Sequence, residues 1–280
     1  MNYKLKAKLT KNILIGFPLI FMLFFILGPF YWCVMTSFKK EIHVQSRPVY
    51  YYPPEPTLGN YRYAWDSIGF DKYFVNSVIV ALSAMIFVVI ISVLVAYPLT
   101  RFKFRGKNAV LLTMLGTQFL PNAMLLIPLF IIYRNLGLLN SLVCVIISII
   151  TFQFPYNTVL MTGFLSGVPI EVEEAAMIDG CSRLQSIAYV VLPILVPGMV
   201  AAGSFAFVSA WKEFLFTLMF ITDVRKLTLS VGLSTMLQEF RVAFGYIAAG
   251  CCIAMIPPVA MFAYIQRFLV TGLSAGAVKG

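Results

Sequence analysis

The chain has 280 residues, of which 60% are hydrophobic and 11% charged, and its mean hydropathy is +0.89. A soluble domain of this length could not remove so much apolar surface from water. Backbone groups cannot remain unpaired in lipid, so the apolar runs that enter a bilayer must be helices. The composition therefore excludes a soluble globular protein and predicts an all-α, polytopic transmembrane helical bundle.

Six apolar runs are long enough to cross a membrane, since a helix needs roughly 20 residues to span the hydrocarbon layer. The first run is too long for the apolar region of a cleaved signal peptide, and no A-x-A site follows it. It is therefore expected to remain as the first span of a single transmembrane domain, 1–280. We predict six spans at about 13–36, 74–98, 109–132, 140–163, 197–221 and 245–268.

The net charge of +10 is distributed as in a membrane protein. The cations lie between apolar runs and not on a face shared with polar and aromatic side chains, which argues against a nucleic-acid partner. The lysine-rich amino terminus and the acid-free segment 101–107 lie on one side, whereas the opposite short loop carries only Arg134. By the positive-inside rule, both termini of this multi-pass protein are expected in the cytoplasm.

The first loop, about 37–73, is then external. It is rich in proline and aromatic residues, which keep a chain extended and provide contact area. Two interpretations are open: a well-packed cap over the external mouth, or a docking surface for an external partner.

Cysteine and histidine positions predict no metal site. Four of the five cysteines lie in apolar runs, there is no C-x-x-C pair, and the only histidine, His43, is remote from them in sequence. Buried apolar cysteines are the expected outcome.

The segment between the fourth and fifth predicted spans is expected to form two capped helices on the cytoplasmic side. Pro169 suits the first helical position, and three glutamates follow where the helix dipole favours them. Gly180 suits the left-handed position that ends a helix. Ser182 and Gln185 fit the S-x-x-Q capping box of a second helix. The prolines of the run Leu192–Pro197 are expected to break or kink that helix before the fifth span.

The order of these features resembles the EAA loop of ABC-importer permeases, where E-A-A is followed after three residues by Gly and later by an aliphatic-Pro pair. The matching residues are Glu174-Ala175-Ala176, Gly180 and Leu192-Pro193. An ordinary amphipathic connector would need the caps but not this ordered pattern. The resemblance extends over nearly the whole chain. It is to the maltose-type carbohydrate permeases, specifically the shorter six-span subunit, and implies the type I ABC-importer permease fold in the bacterial plasma membrane.

The resemblance implies that about 166–196 is a cytoplasmic coupling loop whose first helix sits in a cleft of a cytoplasmic ATPase. In this arrangement Glu174 would form an ion pair, the two alanines would give a packed surface and Gly180 would make the turn. The implied contact residues are Glu174, Ala175, Ala176, Asp179 and Gly180.

The chain lacks a G-x-x-x-x-G-K-[ST] loop, so the nucleotide chemistry must belong to a partner. The resemblance then implies a non-catalytic subunit without a cofactor of its own, with ATP and Mg bound by the ATPase. The implied partners are a second permease subunit in a heterodimer, two cytoplasmic ATPase subunits, an external solute-binding protein, the lipid bilayer and a sugar substrate. The end of the chain would reach between the two ATPases, unless it is a frayed terminus: Ala277, Val278, Lys279 and Gly280.

Ionisable groups within a span are functional candidates. Trp211, Lys212 and Glu213 fall near the middle of the fifth predicted span, where the resembling family usually has Asn in place of Lys212. Trp211 could stack on a sugar ring and Glu213 could accept hydroxyl hydrogen bonds, or all three could lock the interface with the sister subunit. Polar residues of other spans could bridge helices or contact the sugar: Gln118, Asn122, Gln153 and Asn157.

Other functions would leave other patterns. An ion-driven carrier is expected to contain intramembrane acid or histidine relays, or paired inverted halves. A membrane enzyme is expected to contain a nucleophile, a base or a metal cluster. Apart from Lys212 and Glu213, the predicted spans lack such charges, and no halves repeat. One histidine in a loop and scattered acids do not provide a catalytic cluster. A permease for amino acids or another non-sugar solute is opposed only by the carboxy-terminal segment 272–280, which resembles the tail of the sugar branch of the family.

Overall fold

The computed structural model describes residues 2–238 and 243–276, and every regular element within these ranges is helical. A π-helical turn, Ile187–Val191, and two 3-10 turns, Asn122–Leu125 and Val224–Lys226, accompany the α-helices. The α-helices, numbered in chain order, are α1 (Asn2–Ser37), α2 (Glu41–Val44), α3 (Gly59–Ser67), α4 (Phe70–Arg101), α5 (Lys107–Thr117), α6 (Leu126–Asn135), α7 (Leu142–Ser166), α8 (Ile170–Ile178), α9 (Arg183–Ser186), α10 (Leu192–Trp211), α11 (Leu215–Phe220), α12 (Leu229–Gln238) and α13 (Phe244–Gly276).

Five helical segments are long and apolar enough to cross a membrane, and each overlaps a predicted span. They are Leu14–Ser37, Phe70–Arg101, Leu142–Ser166, Arg183–Trp211 and Phe244–Gln266. The third predicted span differs from the expectation because α5 and α6 meet at 91° across a short break. Pro121 lies in that break, where its ring and its missing N–H prevent a regular helix from continuing.

The fifth predicted span also differs in its position. A continuous helical path runs from Arg183 to Trp211, so the expected break at Pro193 is absent. A π turn directly precedes α10 and widens the helical backbone there. We infer that this wider turn accommodates the Pro193 ring, which would otherwise clash with the preceding turn of an α-helix. The span then ends at Trp211, ten residues before the predicted limit, and α11 is a separate short helix.

Contacts divide the chain into two units, and the first lies within Met1–Phe70 and Leu233–Met255. Its predicted external loop has a hydrogen-bonded core instead of an extended chain. The buried Lys39 ammonium donates to the Tyr50 carbonyl (2.6 Å) and lies 4.2 Å from the Trp32 ring centroid. Burial lowers the pKa of Lys39. Asn60 Nδ2 donates to two backbone carbonyls at 2.8 Å. These contacts fit a well-packed cap.

The second unit, within Asp71–Gly232 and Ile256–Gly280, holds the core that positions the candidate sites. Small residues let its helices approach closely. A Cβ on Gly198 of α10, for example, would lie only 2.7 Å from Cγ of Phe164 on α7. The core draws buried side chains from α4, α7, the π turn and α10: Ala96, Met161, Leu165, Val191, Leu195 and Ala202.

Hydrogen bonds to loop backbone fix the segment that follows α11. Asn140 adopts a left-handed conformation (φ 60°), and its Oδ1 accepts from the N–H groups of Thr222 (3.2 Å) and Asp223 (2.9 Å). Asn76 Nδ2 on α4 donates to the carbonyls of Arg225 and Leu227 at 2.9 Å. The end of α11 is therefore held to two other parts of the same unit.

Candidate functional site

The predicted coupling helix is α8, and its ends are formed as the sequence indicated. Pro169 is the N-cap residue, one position before the expected place, and Gly180 has a φ of 94°. The N–H of Gly180 donates to the Met177 carbonyl (3.2 Å), and the N–H of Cys181 donates to the Ala176 carbonyl (3.0 Å). This is the Schellman pattern. The predicted left-handed glycine is therefore confirmed.

The predicted capping box at the start of α9 is also confirmed. The N–H of Ser182 donates to Gln185 Oε1 (2.8 Å), and the N–H of Gln185 donates to Ser182 Oγ (3.4 Å). Only a four-residue turn separates α8 from α9, so the two helices form one compact helix–turn–helix.

The two faces of α8 have different surroundings. Glu173 and Ala176 are buried, whereas Glu174 and Ala175 are exposed, as are Asp179 and Gly180 beyond the helix end. Ala176 was expected to lie with Ala175 on an exposed surface. Because Glu173 and Ala176 are three residues apart, they share the inward face of the helix.

A buried ion pair holds that inward face, and Glu173 was not among the predicted site residues. Arg101, at the end of α4, directs both Nε and Nη2 at one Glu173 oxygen. Tyr97 donates its hydroxyl to the other oxygen (2.9 Å). Arg101 Nη2 also donates to the Val168 carbonyl (3.0 Å), and Ser186 Oγ of α9 to the Glu173 carbonyl (3.3 Å). This network joins α4, α8 and α9.

A signal for this pair was present in the sequence. The i, i+3 spacing of Glu173 and Ala176 places a carboxylate on the same face as a small apolar residue. Arg101 is the first cation after a 25-residue apolar run, so it was available as the partner. The exposed remainder of α8 offers one carboxylate beside a small, smooth surface, a combination that suits a partner's arginine in a cleft.

The second candidate region lies at the end of α10. Lys212 and Glu213 were expected within a helical span, but they occupy a break between α10 and α11. Glu213 Oε1 accepts from the N–H of Phe216 (2.6 Å), and its Oε2 accepts from the N–H (3.1 Å) and Oγ1 (3.0 Å) of Thr217. Glu213 therefore caps the start of α11, and these bonds satisfy amides that a helix start would leave unpaired.

The break opens onto a cavity of about 230 Å³ in the second unit. Four of the seven predicted substrate-path residues line it together with Ser209: Asn122, Gln153, Lys212 and Glu213. Gln153 Nε2 donates to Ser209 Oγ. Gln118 does not line the cavity, but its side chain reaches the carbonyl of Phe152, a lining residue, at 3.4 Å.

The other two predicted residues lie outside this cavity. Trp211 is buried, its ring 5.8 Å from that of Phe207 and 5.7 Å from that of Phe74. It packs in the core of this chain, so the expectation of an open face for a sugar ring is not met. Asn157 is fully buried on α7 and donates to the Gln153 carbonyl one turn earlier (2.8 Å).

Two further predictions concern metal and the chain end. Within the described residues, no group of three or more His, Cys, Asp or Glu side chains is placed to hold a metal ion. The predicted tail contact, Ala277 to Gly280, lies outside the described residues.

A family model supplies the deciding comparison. The model described as the inner membrane component of binding-protein-dependent transport systems matches residues 88–274. The chain belongs to this family. It is thus a membrane-embedded permease subunit of an ABC importer, as the resemblance implied, and a binding protein is part of such a system.

Named relatives of this permease align over most of its length. It is 35% identical over 254 residues to the sulfoquinovosyl glycerol transport system permease protein SmoH of Agrobacterium fabrum, covering 91% of this chain and 89% of that protein. It is 32% identical over 252 residues to the diacetylchitobiose uptake system permease protein DasC of Streptomyces coelicolor (90% and 91%). It is 31% identical over 279 residues to the trehalose/maltose transport system permease protein MalG of Thermococcus litoralis (99% and 100%).

Solved structures share the fold. The permease matches a crystal structure of a bacterial ABC transporter involved in the import of the acidic polysaccharide alginate, with a TM-score of 0.81 at 20% identity, over 93% of this chain and 97% of that one. A structure of bacterial alginate ABC transporter with an alginate pentasaccharide-bound periplasmic protein gives a TM-score of 0.67 at 15% identity, over 95% and 94%. These matches confirm the predicted type I permease fold.

Proposed function

We propose that this permease moves a sugar or an oligosaccharide across the bacterial inner membrane, and that α8 couples transport to a separate cytoplasmic ATPase. The observation that carries the coupling is the division of α8 into an anchored face, with Glu173 and Ala176, and an exposed face, with Glu174 and Ala175. The names of the relatives support the substrate class, because sulfoquinovosyl glycerol, diacetylchitobiose, trehalose and maltose are all carbohydrates.

In the proposed assembly, this permease pairs with a second permease subunit as a heterodimer. Two cytoplasmic ATPase subunits bind ATP and Mg, and an external solute-binding protein delivers the sugar. The permease itself performs no chemistry. Both of its termini lie in the cytoplasm, and residues 277–280 extend the contact with the ATPases.

Coupling would pass through the buried network behind α8. An ATPase that moves Glu174 and Ala175 moves the whole helix–turn–helix, because Ser186 of α9 bonds the backbone of α8. The Glu173 carboxylate transfers the same displacement to Arg101 at the end of α4. Packed elements tied in this way move as a rigid body when an importer alternates between inward-open and outward-open states.

The substrate path is proposed to include the cavity beside the break after α10. Its lining combines amide side chains and a cation with aromatic walls from Phe152 and Phe216. Such a mixture of polar and aromatic groups suits a carbohydrate, whose hydroxyls need hydrogen-bond partners and whose ring faces are apolar.

Cross-linking tests the coupling contact directly. Cys181 is first replaced by Ser, so that it cannot react. In this background, a short thiol-reactive reagent should cross-link Ala175→Cys to an ATPase subunit in the assembled importer. The exposed position of Ala175 predicts this result. An Ala175→Cys protein that assembles and never cross-links to an ATPase would refute the coupling assignment.

Ala176→Cys is the matched control, because it carries the same change on the neighbouring residue. Its side chain points into the chain, where 9% of the residue is exposed. We therefore expect little or no cross-link from this variant. Uptake of a labelled mixture of neutral and uronic-acid-containing oligosaccharides by proteoliposomes that contain the whole importer tests the sugar assignment separately.

A further inference from the structure

The cavity beside the α10–α11 break contains a cation that the fold does not pair. Lys212 is exposed at the end of α10 and lines the cavity. No described hydrogen bond, ion pair or ring contact involves its ammonium group. By contrast, Arg101 pairs with Glu173, and Lys39 contacts the Tyr50 carbonyl and the Trp32 ring. Three N–H donors of Lys212 are thus available to whatever occupies the cavity.

The adjacent carboxylate does not serve as the partner of Lys212. Glu213 lies next in sequence, but its carboxylate is directed at the backbone N–H groups of α11. Its two oxygens accept three hydrogen bonds from the start of α11, and no ion pair within 4.0 Å joins it to Lys212. The Glu213 carboxylate therefore stabilises the break between α10 and α11, and the Lys212 ammonium remains at the cavity without a partner in this chain.

The remaining polar groups of the cavity are neutral. Asn122, Gln153 and Ser209 offer amide and hydroxyl groups, which can bind hydroxyls but cannot balance a charge. A cation beside the apolar side chains that also line this cavity attracts an anion more strongly than it would in bulk water, because the local dielectric is lower. A neutral occupant would leave the ammonium without a counter-charge.

We infer that the transported carbohydrate carries an anionic group, a carboxylate, sulfonate or phosphate, and that Lys212 contacts this group in the cavity. This inference rests on the proposed function, because it specifies which class of sugar passes through the proposed path. Lys212 acts as a specificity-determining residue, and the amides around it bind the neutral hydroxyls.

A matched pair of probes distinguishes the contribution of a negative charge to binding from that of the sugar ring. Methyl β-glucoside and methyl β-glucuronide share a ring and differ at C6, where the second carries a carboxylate. Saturation-transfer NMR measures the binding of each probe to the whole importer in nanodiscs, in the absence of the binding protein. We expect the wild type to bind the glucuronide more tightly, and Lys212→Gln to weaken glucuronide binding by roughly tenfold or more while glucoside binding stays unchanged.

Two further variants control this measurement. Lys72→Gln makes the same charge change on an exposed lysine outside the cavity and should bind both probes like the wild type. Lys212→Arg keeps the charge and should keep the preference for the glucuronide.

The remaining outcomes would overturn the inference in distinguishable ways. Equal glucuronide binding by wild type and Lys212→Gln would exclude an anion contact at Lys212, although sugar transport would stand. Competition by inorganic phosphate as strong as by the glucuronide would indicate an anion site and not a sugar site. A lower melting temperature of the assembled Lys212→Gln importer would assign Lys212 to an ion pair with the sister subunit. Binding of neither probe, with no uptake of any sugar, would count against the proposed function itself.

Discussion

Two shielded glutamates in the second unit have their carboxylate oxygens hydrogen-bonded in different ways. Glu173 of α8 receives the guanidinium of Arg101 and the hydroxyl of Tyr97, both from α4. Glu213, in the break after α10, receives two backbone N–H groups and one threonine hydroxyl from the helix that directly follows it. The first carboxylate is held from another helix, whereas the second is held from its own segment.

The two arrangements have different mechanical consequences: the Glu173 pair connects two helices, whereas the Glu213 hydrogen bonds fix the backbone of one segment. A charge pair between helices forces α8 and the end of α4 to move together, which suits a helix that has to transmit displacement. The Glu213 hydrogen bonds lie within one segment, so they maintain the break after α10 without a contact from another helix. Such a break suits the wall of a cavity. If α8 couples transport as proposed, the same residue type serves transmission in one region and local geometry in the other.

The largest effect is expected where the charge pair is broken. Glu173→Gln leaves Arg101 buried without its counter-ion, since the two side chains are only 6% and 8% exposed. Removing one partner of such a pair costs about 3–5 kcal/mol. The free energy of unfolding, measured by denaturant titration in detergent, should fall accordingly, and uptake should fall with it.

Glu174→Gln is the matched control for that measurement. It makes the same chemical change on the next residue, which is exposed. Exposed substitutions usually change stability by less than about 0.5 kcal/mol. We expect stability to remain and coupling to the ATPase to weaken. Equal destabilisation by both variants would remove the distinction between the two faces of α8.

The cap at the cavity is expected to matter less for stability. Glu213→Leu removes the acceptor of three hydrogen bonds and leaves the first amides of α11 unpaired, which costs about 1–3 kcal/mol. Glu213→Gln retains one acceptor oxygen and should lose less. Hydrogen exchange at residues 215–220 reports the local change. Unaltered protection of this segment in the leucine variant would show that the cap is dispensable.

The coupling region was more predictable from the sequence than the cavity, for physical reasons. The caps around α8 depend on local residue types, so Gly180, Ser182 and Gln185 could be placed before any contact was known. The break after Trp211 could not be predicted in this way, because the hydropathy remains high through α11 and a continuous span is indistinguishable from two helices. The spacing of Glu173 and Ala176 indicated that they share one face of α8, but tertiary packing decides that this face, and not the one with Glu174, is turned toward α4.

Gly180 tests whether the end of α8 must be left-handed. At a φ of 94° a β-branched residue is strained, at a cost of about 1–2 kcal/mol, although a Cβ would meet no atom within 4 Å. Gly180→Val should insert normally in the membrane but lose uptake and substrate-stimulated ATPase activity. Gly180→Asn also adds a side chain but tolerates this conformation, so it should retain most activity. Normal transport by the valine variant would contradict the assignment.

The smallest effect is expected at the start of α9. Ser182→Ala removes the Oγ that accepts from the Gln185 N–H, at a cost of about 1 kcal/mol. Such a change should lower global stability by no more than this amount, but it loosens the turn that would carry a displacement of α8 into α9. The ratio of sugar imported to ATP hydrolysed should therefore fall more than either the melting temperature or the amount of assembled importer. Ser182→Asp restores a capping oxygen and should restore the ratio. If the alanine variant lost ATPase activity and uptake in equal proportion, the turn would serve assembly and not transmission.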